Sequence, residues 1–333
     1  MPAAWSAVGA GLFCPVAVAS AGGGVVLLAR AGGGELVRVD RDAAGWRPPR
    51  SLGVPVARSR GGRVAVPVDW QLAACAGGPD AIELAARSPD GDLLHLRLTP
   101  AGPVEFECLG APAAAPAGRA IPVGLAGPPA ICRSGADRLD VLAVGQGGEV
   151  LHAIRSGGEW GPFDSLGAPP APSGGRRGGR PAVAEAIAAC RCGPSGIALF
   201  HRGAEGQLLL KWWNGADWSD YASLGSPEVP DESYPAVTAP APLTGPPAAC
   251  SGGADRLDVF ARGPCGDLLH TGWDGADWSR FASLGMPADG EQTVPLTGAV
   301  TACSAGGRAC DVVAGAVDGR LYYLRWSDDA DDA

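Results

Sequence analysis

The chain has 333 residues, a net charge of −9 at pH 7 and 46% hydrophobic residues. An acidic balance with arginines scattered along the chain excludes nucleic acid as an expected partner, since phosphates need a concentrated basic face. Gly 52 and Pro 31 make up about a quarter of the sequence, near the range of disordered chains, but they fall between apolar runs as turn residues do between short strands.

The chain opens Met1-Pro2-Ala3-Ala4-Trp5, with no basic stretch ahead of an apolar run. No signal peptide is expected, and no apolar run is long enough for a membrane-spanning helix. These features predict a cytoplasmic or non-classically secreted protein.

A short phrase then recurs: Ser51-Leu52-Gly53, Cys108-Leu109-Gly110, Ser165-Leu166-Gly167, Ser223-Leu224-Gly225 and Ser283-Leu284-Gly285, at intervals of 57, 57, 58 and 60 residues. A period of this size means one supersecondary unit repeated, and four strands per unit is the content of a propeller blade. Copies one and two are worn, with Trp46 and Phe106 as remnants. The third keeps Arg138-Leu139-Asp140-Val141, His152, Trp160 and Phe163. The fourth has Trp212, Trp213, the turn Asn214-Gly215, Trp218 and Tyr221.

The fifth copy is the fullest. Pro247 to Cys250, Arg256 to Arg262, Asp267 to Trp273 and Trp278 to Leu284 read as four strands, with Asp274-Gly275 as a two-residue hairpin turn. The sixth runs from about Val300 through Asp311 and Leu321 to Trp326 and lacks a fourth strand. Trp5-Ser6-Ala7-Val8-Gly9 matches Phe281-Ala282-Ser283-Leu284-Gly285, so the N-terminus is expected to complete the last blade and close the ring. Closure removes exposed sheet edges.

The predicted fold is therefore all-β: one six-bladed β-propeller over residues 1–326, in four-stranded antiparallel blades. The blades span about 10–53, 54–110, 111–167, 168–225, 226–285, and 286–326 with 1–9. Residues 327–333 read as a solvated acidic tail. Long connections after each Ser-Leu-Gly phrase are where a rigid ring carries variable function.

Five of the ten cysteines obey the repeat: Cys75, Cys132, Cys190, Cys250 and Cys303, with Ala19 at the sixth place. A place that accepts Cys or Ala asks for a small buried side chain. No Cys-x-x-Cys pair supports a metal, and neither metal nor cofactor is expected.

The run from Ser251 to Gly285, SGGADRLDVFARGPCGDLLHTGWDGADWSRFASLG, resembles the repeat of the PLL-type bacterial propeller lectins. The match is close in copies four and five, recognisable in three and six, and faint in one and two. The resemblance implies a non-catalytic carbohydrate-binding protein, selective for fucose- or galactose-like glycans, with pockets between adjacent blades. The family members in view have seven blades, against six counted here.

The residues support a similar reading independently. A sugar offers an apolar C–H face and a rim of hydroxyls, so its pocket needs an aromatic platform beside fixed polar groups. Trp213, Trp273 and Trp326 share one place at the end of the third strand. Trp46, Trp160, Trp218 and Trp278 share another at the start of the fourth. The competing role for both sets is packing between blades. His95, His152 and His270 share one place, with Leu210, Tyr323 and Arg38 in the other copies, which suits a hydrogen-bonding position and argues against a metal ligand. Glu83, Asp140, Asp258 and Asp311 recur in the second strand, and Arg262 lies four residues beyond Asp258, as Arg87 does beyond Glu83. An Arg–carboxylate pair there would grip vicinal hydroxyls, or simply satisfy itself.

The expected ligand residues are thus Trp213, Trp218, Trp273, Trp278, Trp326, His270, Arg262 and Asp258, in shallow inter-blade pockets of blades four to six. Several weak sites, or a homo-oligomer, would supply avidity. No catalytic motif appears. Two alternatives remain open: an enzyme at one mouth of the central channel, drawing on acids such as Asp69, Glu185 and Glu232, and a scaffold for protein partners.

Overall fold

The computed structural model describes residues 4–19, 24–32, 34–59, 62–65, 72–78, 81–88, 90–99, 105–111, 113–114, 121–122, 124–170, 186–230, 238–253 and 255–328. Asp69, Glu185, Glu232, Arg176, Arg177, Arg180 and the tail acids Asp329, Asp331 and Asp332 lie outside the described residues.

Among the described residues the chain is all strand and turn. Blade 1 contains Leu12–Ala19, Val25–Ala31 and Leu36–Asp42, with an outer edge split into Gly45–Trp46 and Arg50–Ser51. Blade 2 contains Ala73–Gly78, Ala81–Arg87, Leu93–Leu98 and Glu105–Gly110. Blade 3 has Ala130–Arg133, Arg138–Val144, Val150–Ser156 and a split edge, Glu159–Trp160 and Asp164–Ser165. Blade 4 has Ala188–Cys192, Gly196–Arg202, Leu208–Trp213 and Ala222–Gly225; blade 5 has Ala248–Gly253, Arg256–Arg262, Leu268–Trp273 and Ala282–Ser283. Blade 6 joins Leu296–Gly306, Ala309–Ala316 and Arg320–Ser327 to Trp5–Ala10 from the N-terminus.

The register confirms the expected closure. Ser6 stands opposite Tyr323, as Ala282 stands opposite His270 in blade 5. The inner strands contact one another in the cycle 1-2-3-4-5-6-1, which makes a closed ring of six blades. Blade 2 departs from the four-strand plan. The hairpin Val56–Ser59 and Gly62–Ala65 adds to its rim, with Val56–Ser59 running parallel to Glu105–Gly110. That covers an edge which would otherwise offer unpaired backbone groups.

Apolar residues in the second strands run on without clean alternation because both faces are buried. Successive residues point to opposite neighbours. In blade 5, Phe260 packs into the cluster shared with blade 6, while Leu257, Val259 and Ala261 pack into the one shared with blade 4. Each of the six junctions has such a cluster.

The Ser-Leu-Gly phrase is explained by what its residues do. Leu52, Leu109, Leu166, Leu224 and Leu284 each pack into the cluster between their own blade and the next. The serine hydroxyl accepts from the glycine amide in four copies, as Ser223 Oγ does from Gly225 N at 3.2 Å. The glycines sit at φ between 78° and 82°, a left-handed turn that favours glycine.

Candidate functional site

The recurring polar residues of the second and third strands meet at the junctions between blades. In blade 5, Arg256 and Asp258 lie two residues apart and so share a face, and His270 on the neighbouring strand joins them. Arg256 donates from Nε to Asp258 Oδ2 at 3.0 Å and from Nη2 to Oδ1 at 2.9 Å. His270 Nε2 lies 3.0 Å from Oδ1. Trp326 of blade 6 covers this group, with its ring 3.9 Å from that of His270 and 5.1 Å from the Arg256 guanidinium.

The same cluster recurs with variations. In blade 3, Asp140 Oδ1 lies 2.9 Å from both His152 Nε2 and Arg138 Nη2. Trp218 of blade 4 meets His152 edge to face at 5.5 Å, and Trp213 lies 5.9 Å from the Arg138 guanidinium. In blade 2, Glu83 binds His95 at 3.0 Å and Arg97, under Trp160 of blade 3. In blade 6, Tyr323 donates to Asp311, and Trp46 of blade 1 meets Tyr323 at 5.4 Å. Blade 4 has Ala198 and Leu210 at these places and is apolar there; Trp278 of blade 5 packs on Phe200 instead. Blade 1 exchanges the charges, with Arg38 at the histidine place holding Asp40 at 2.7 Å.

Glu83, Asp140 and Asp258 are wholly buried. Burial is the largest single influence and opposes ionisation. The hydrogen bonds from the facing His, with the Arg groups, outweigh it and hold all three carboxyls below their ordinary values. A buried carboxylate supported from several sides is a rigid anchor.

The nominated residues therefore separate into three junctions. Trp326, His270 and Asp258 meet between blades 5 and 6, Trp213 and Trp218 belong between 3 and 4, and Trp273 and Trp278 between 4 and 5. These tryptophans are half-buried; the exposed indole among the described residues is Trp212. The expected pairing of Arg262 with Asp258 is not formed. Four residues of extended chain span about 13 Å, too far for a direct bond. Arg262 binds Thr244 Oγ1 at 3.0 Å and the carbonyls of Thr244 and Thr297 instead, tying down the approach to blade 6. Arg87 does not reach Glu83 either and donates to Leu125 O at 2.6 Å. The true partners, Arg138 and Arg256, stand two residues before their acids in the Arg-Leu-Asp triplet, and that spacing was the available signal. Asp328, expected in a solvated tail, pairs with Arg256.

The repeat cysteines stand opposite the acid place on the inner strand, as Cys250 does opposite Asp258. Cys250, Cys310 and Asp258 bring ligand atoms within 4.8 Å of one another. A hydrogen bond with Cys310, together with burial, pushes the Cys250 thiol far up, and Asp258 is already held by Arg256 and His270. A protonated thiol is a poor metal ligand.

At the hub, a cavity of about 120 Å³ is lined by prolines and small apolar residues such as Pro129, Ala130, Ile187, Ala248 and Val300. No ionisable side chain lines it among the described residues.

No protein-family model matches the sequence, and no curated protein matches it. Among solved structures, a mutant of the Aleuria aurantia lectin bound to Fucα1-6GlcNAc is 14% identical, with a TM-score of 0.64 over 97% of this chain and 95% of that one. AofleA from Arthrobotrys oligospora is 14% identical, with a TM-score of 0.61 over 98% and 86%. The BP39L lectin from Burkholderia pseudomallei is 20% identical, with a TM-score of 0.56 over 97% of both chains. The Aleuria aurantia lectin is described as a six-bladed β-propeller with a novel fucose recognition mode. This chain shares that six-bladed fold.

Proposed function

We propose that this protein is a lectin that binds fucose-like sugars in shallow clefts between its blades. The observation that carries the reading is the repeated cluster of Arg, carboxylate and imidazole set beneath an indole of the next blade. A half-buried indole offers a face to sugar C–H groups, and an anchored guanidinium offers directed donors to hydroxyls. Arg138 with Trp213 and Trp218, and Arg256 with Trp326, form the two fullest sets. The fucose complexes of the similar Aleuria aurantia lectin support the choice of sugar.

Catalysis at the hub receives no support from the described lining, which holds no acid or base beside the hydroxyl of Thr301. Repeated junctions on one rigid ring suit multivalent recognition of glycans, where weak sites act together. A glycan array at high protein density tests the reading. Binding of fucosylated glycans that free L-fucose inhibits is expected; an array without sugar-inhibitable binding contradicts it.

A further inference from the structure

The junction between blades 2 and 3 differs from those nominated above. At the end of the third strand, where blades 4, 5 and 6 carry Trp213, Trp273 and Trp326, blade 3 carries Arg155. Arg155 shares a strand face with Ala153 and Leu151, and Leu151 packs into the cluster with blade 2, so its side chain looks across at that blade. There it borders a cleft of about 460 Å³ with Arg97 from blade 2 and Arg133 from blade 3. Glycines at 77, 78, 157 and 158 keep the rim free of side chains.

These guanidiniums are not equally committed. Arg97 binds Glu83, and Arg133 is spread over Glu83 at 3.6 Å and the carbonyls of Ala76 and Gly77. Arg155 has no hydrogen-bond or ion-pair partner among the described residues, and its Nε is buried without an acceptor. Arg138 touches the cleft but spends its guanidinium on Asp140, toward blade 4. Three arginines against Glu83 and Asp137 leave one net positive charge (3 − 2) on a chain whose total is −9. A half-buried arginine without a carboxylate is a site with one charge missing.

We infer that the cleft between blades 2 and 3 binds an oxyanion-bearing saccharide, a sugar with a sulfate ester or a carboxylate, with Arg155 and Arg97 as its anion-binding residues. The volume lies in the range of small-ligand sites, and the anion supplies the acceptor that Arg155 lacks. The saccharide part rests on the lectin reading; the anion part stands on the geometry of this junction alone.

The test is calorimetric titration of the full chain with a heparin-derived tetrasaccharide, with inorganic sulfate and with methyl α-L-fucoside. The tetrasaccharide is expected to bind, more weakly as salt rises, and to lose at least tenfold in affinity in Arg155→Trp and in Arg97→Gln. Arg155→Trp installs the residue that three other blades carry there, and Arg155→Gln provides a second variant should it misfold. Fucoside binding should be unchanged in Arg155→Trp and Arg155→Gln. Tetrasaccharide binding that these variants leave intact overturns the proposal, as does fucoside binding with no tetrasaccharide binding. Sulfate that competes as well as the tetrasaccharide at equal concentration overturns the saccharide part. Tetrasaccharide binding without fucoside binding supports this site and counts against the neutral-sugar reading alone.

Discussion

Trp5 stands directly opposite Leu324, so the first strand of the chain forms the rim of the last blade. Removing residues 1–10 should expose the edge of Arg320–Ser327 and open the cluster that holds Trp5, Tyr322 and Leu324. The truncated chain is expected to unfold at lower temperature and to self-associate, as seen by calorimetry and light scattering. A monomer of unchanged stability would contradict the closure.

A buried carboxylate that loses its charge leaves its partners behind. Asp140→Asn should destabilise the fold by about 3 kcal/mol, because Arg138 and His152 then face an uncharged amide in a buried site. Urea unfolding measures the loss. Asp328→Asn, at a half-exposed partner of Arg256, should cost under about 1 kcal/mol.

The three buried carboxyls of the junction clusters contribute to the response to acid. Glu83, Asp140 and Asp258 are below their ordinary values in the fold, so the unfolded chain binds protons more readily. Their contribution is fully present above the unfolded value of about 4 and is lost as pH falls from there through the folded values. The urea midpoint should hold steady from pH 7 to pH 5 and drop steeply below pH 4. Asp140→Asn should flatten part of that drop.

Much of this architecture was legible in the sequence, because the Ser-Leu-Gly phrase marks the same physical event in five of the six blades. Its leucine enters a junction cluster and its glycine takes a left-handed turn, so the phrase counts those five blades. The match of Trp5-Ser6-Ala7-Val8-Gly9 to the fourth strand was legible for the same reason. The site was only partly so. Period-two alternation places Asp258 and Arg262 on one face, but sharing a face does not mean contact, and Arg256 was nearer. The Asp328 pairing and the meeting of Arg97, Arg133 and Arg155 depend on how adjacent blades are set against each other. No single copy of the repeat records that.

Gly285 offers a test of the phrase itself. Its φ is 78° and a Cβ there would meet nothing within 4 Å, so Gly285→Ala adds backbone strain without a clash. A cost of about 1 kcal/mol is expected. Leu224→Ala, which empties part of the cluster between blades 4 and 5, should cost more, about 2–4 kcal/mol. Thermal unfolding of both variants decides the ranking.

On the proposed reading, the indoles at the junctions divide between packing and ligand contact. Trp213→Ala should lower fucoside affinity at the junction of blades 3 and 4 about tenfold while the fold survives, since Trp218 remains against His152. Titration monitored by tryptophan fluorescence reads both effects.

The most direct measurement is a crystal structure of the protein with methyl α-L-fucoside. Sugar density between neighbouring blades, against Trp213 and Arg138 or against Trp326 and Arg256, is the predicted result. Sugar in the axial cavity, or clefts that stay empty at saturating fucoside, would contradict a lectin that works at the seams of its ring.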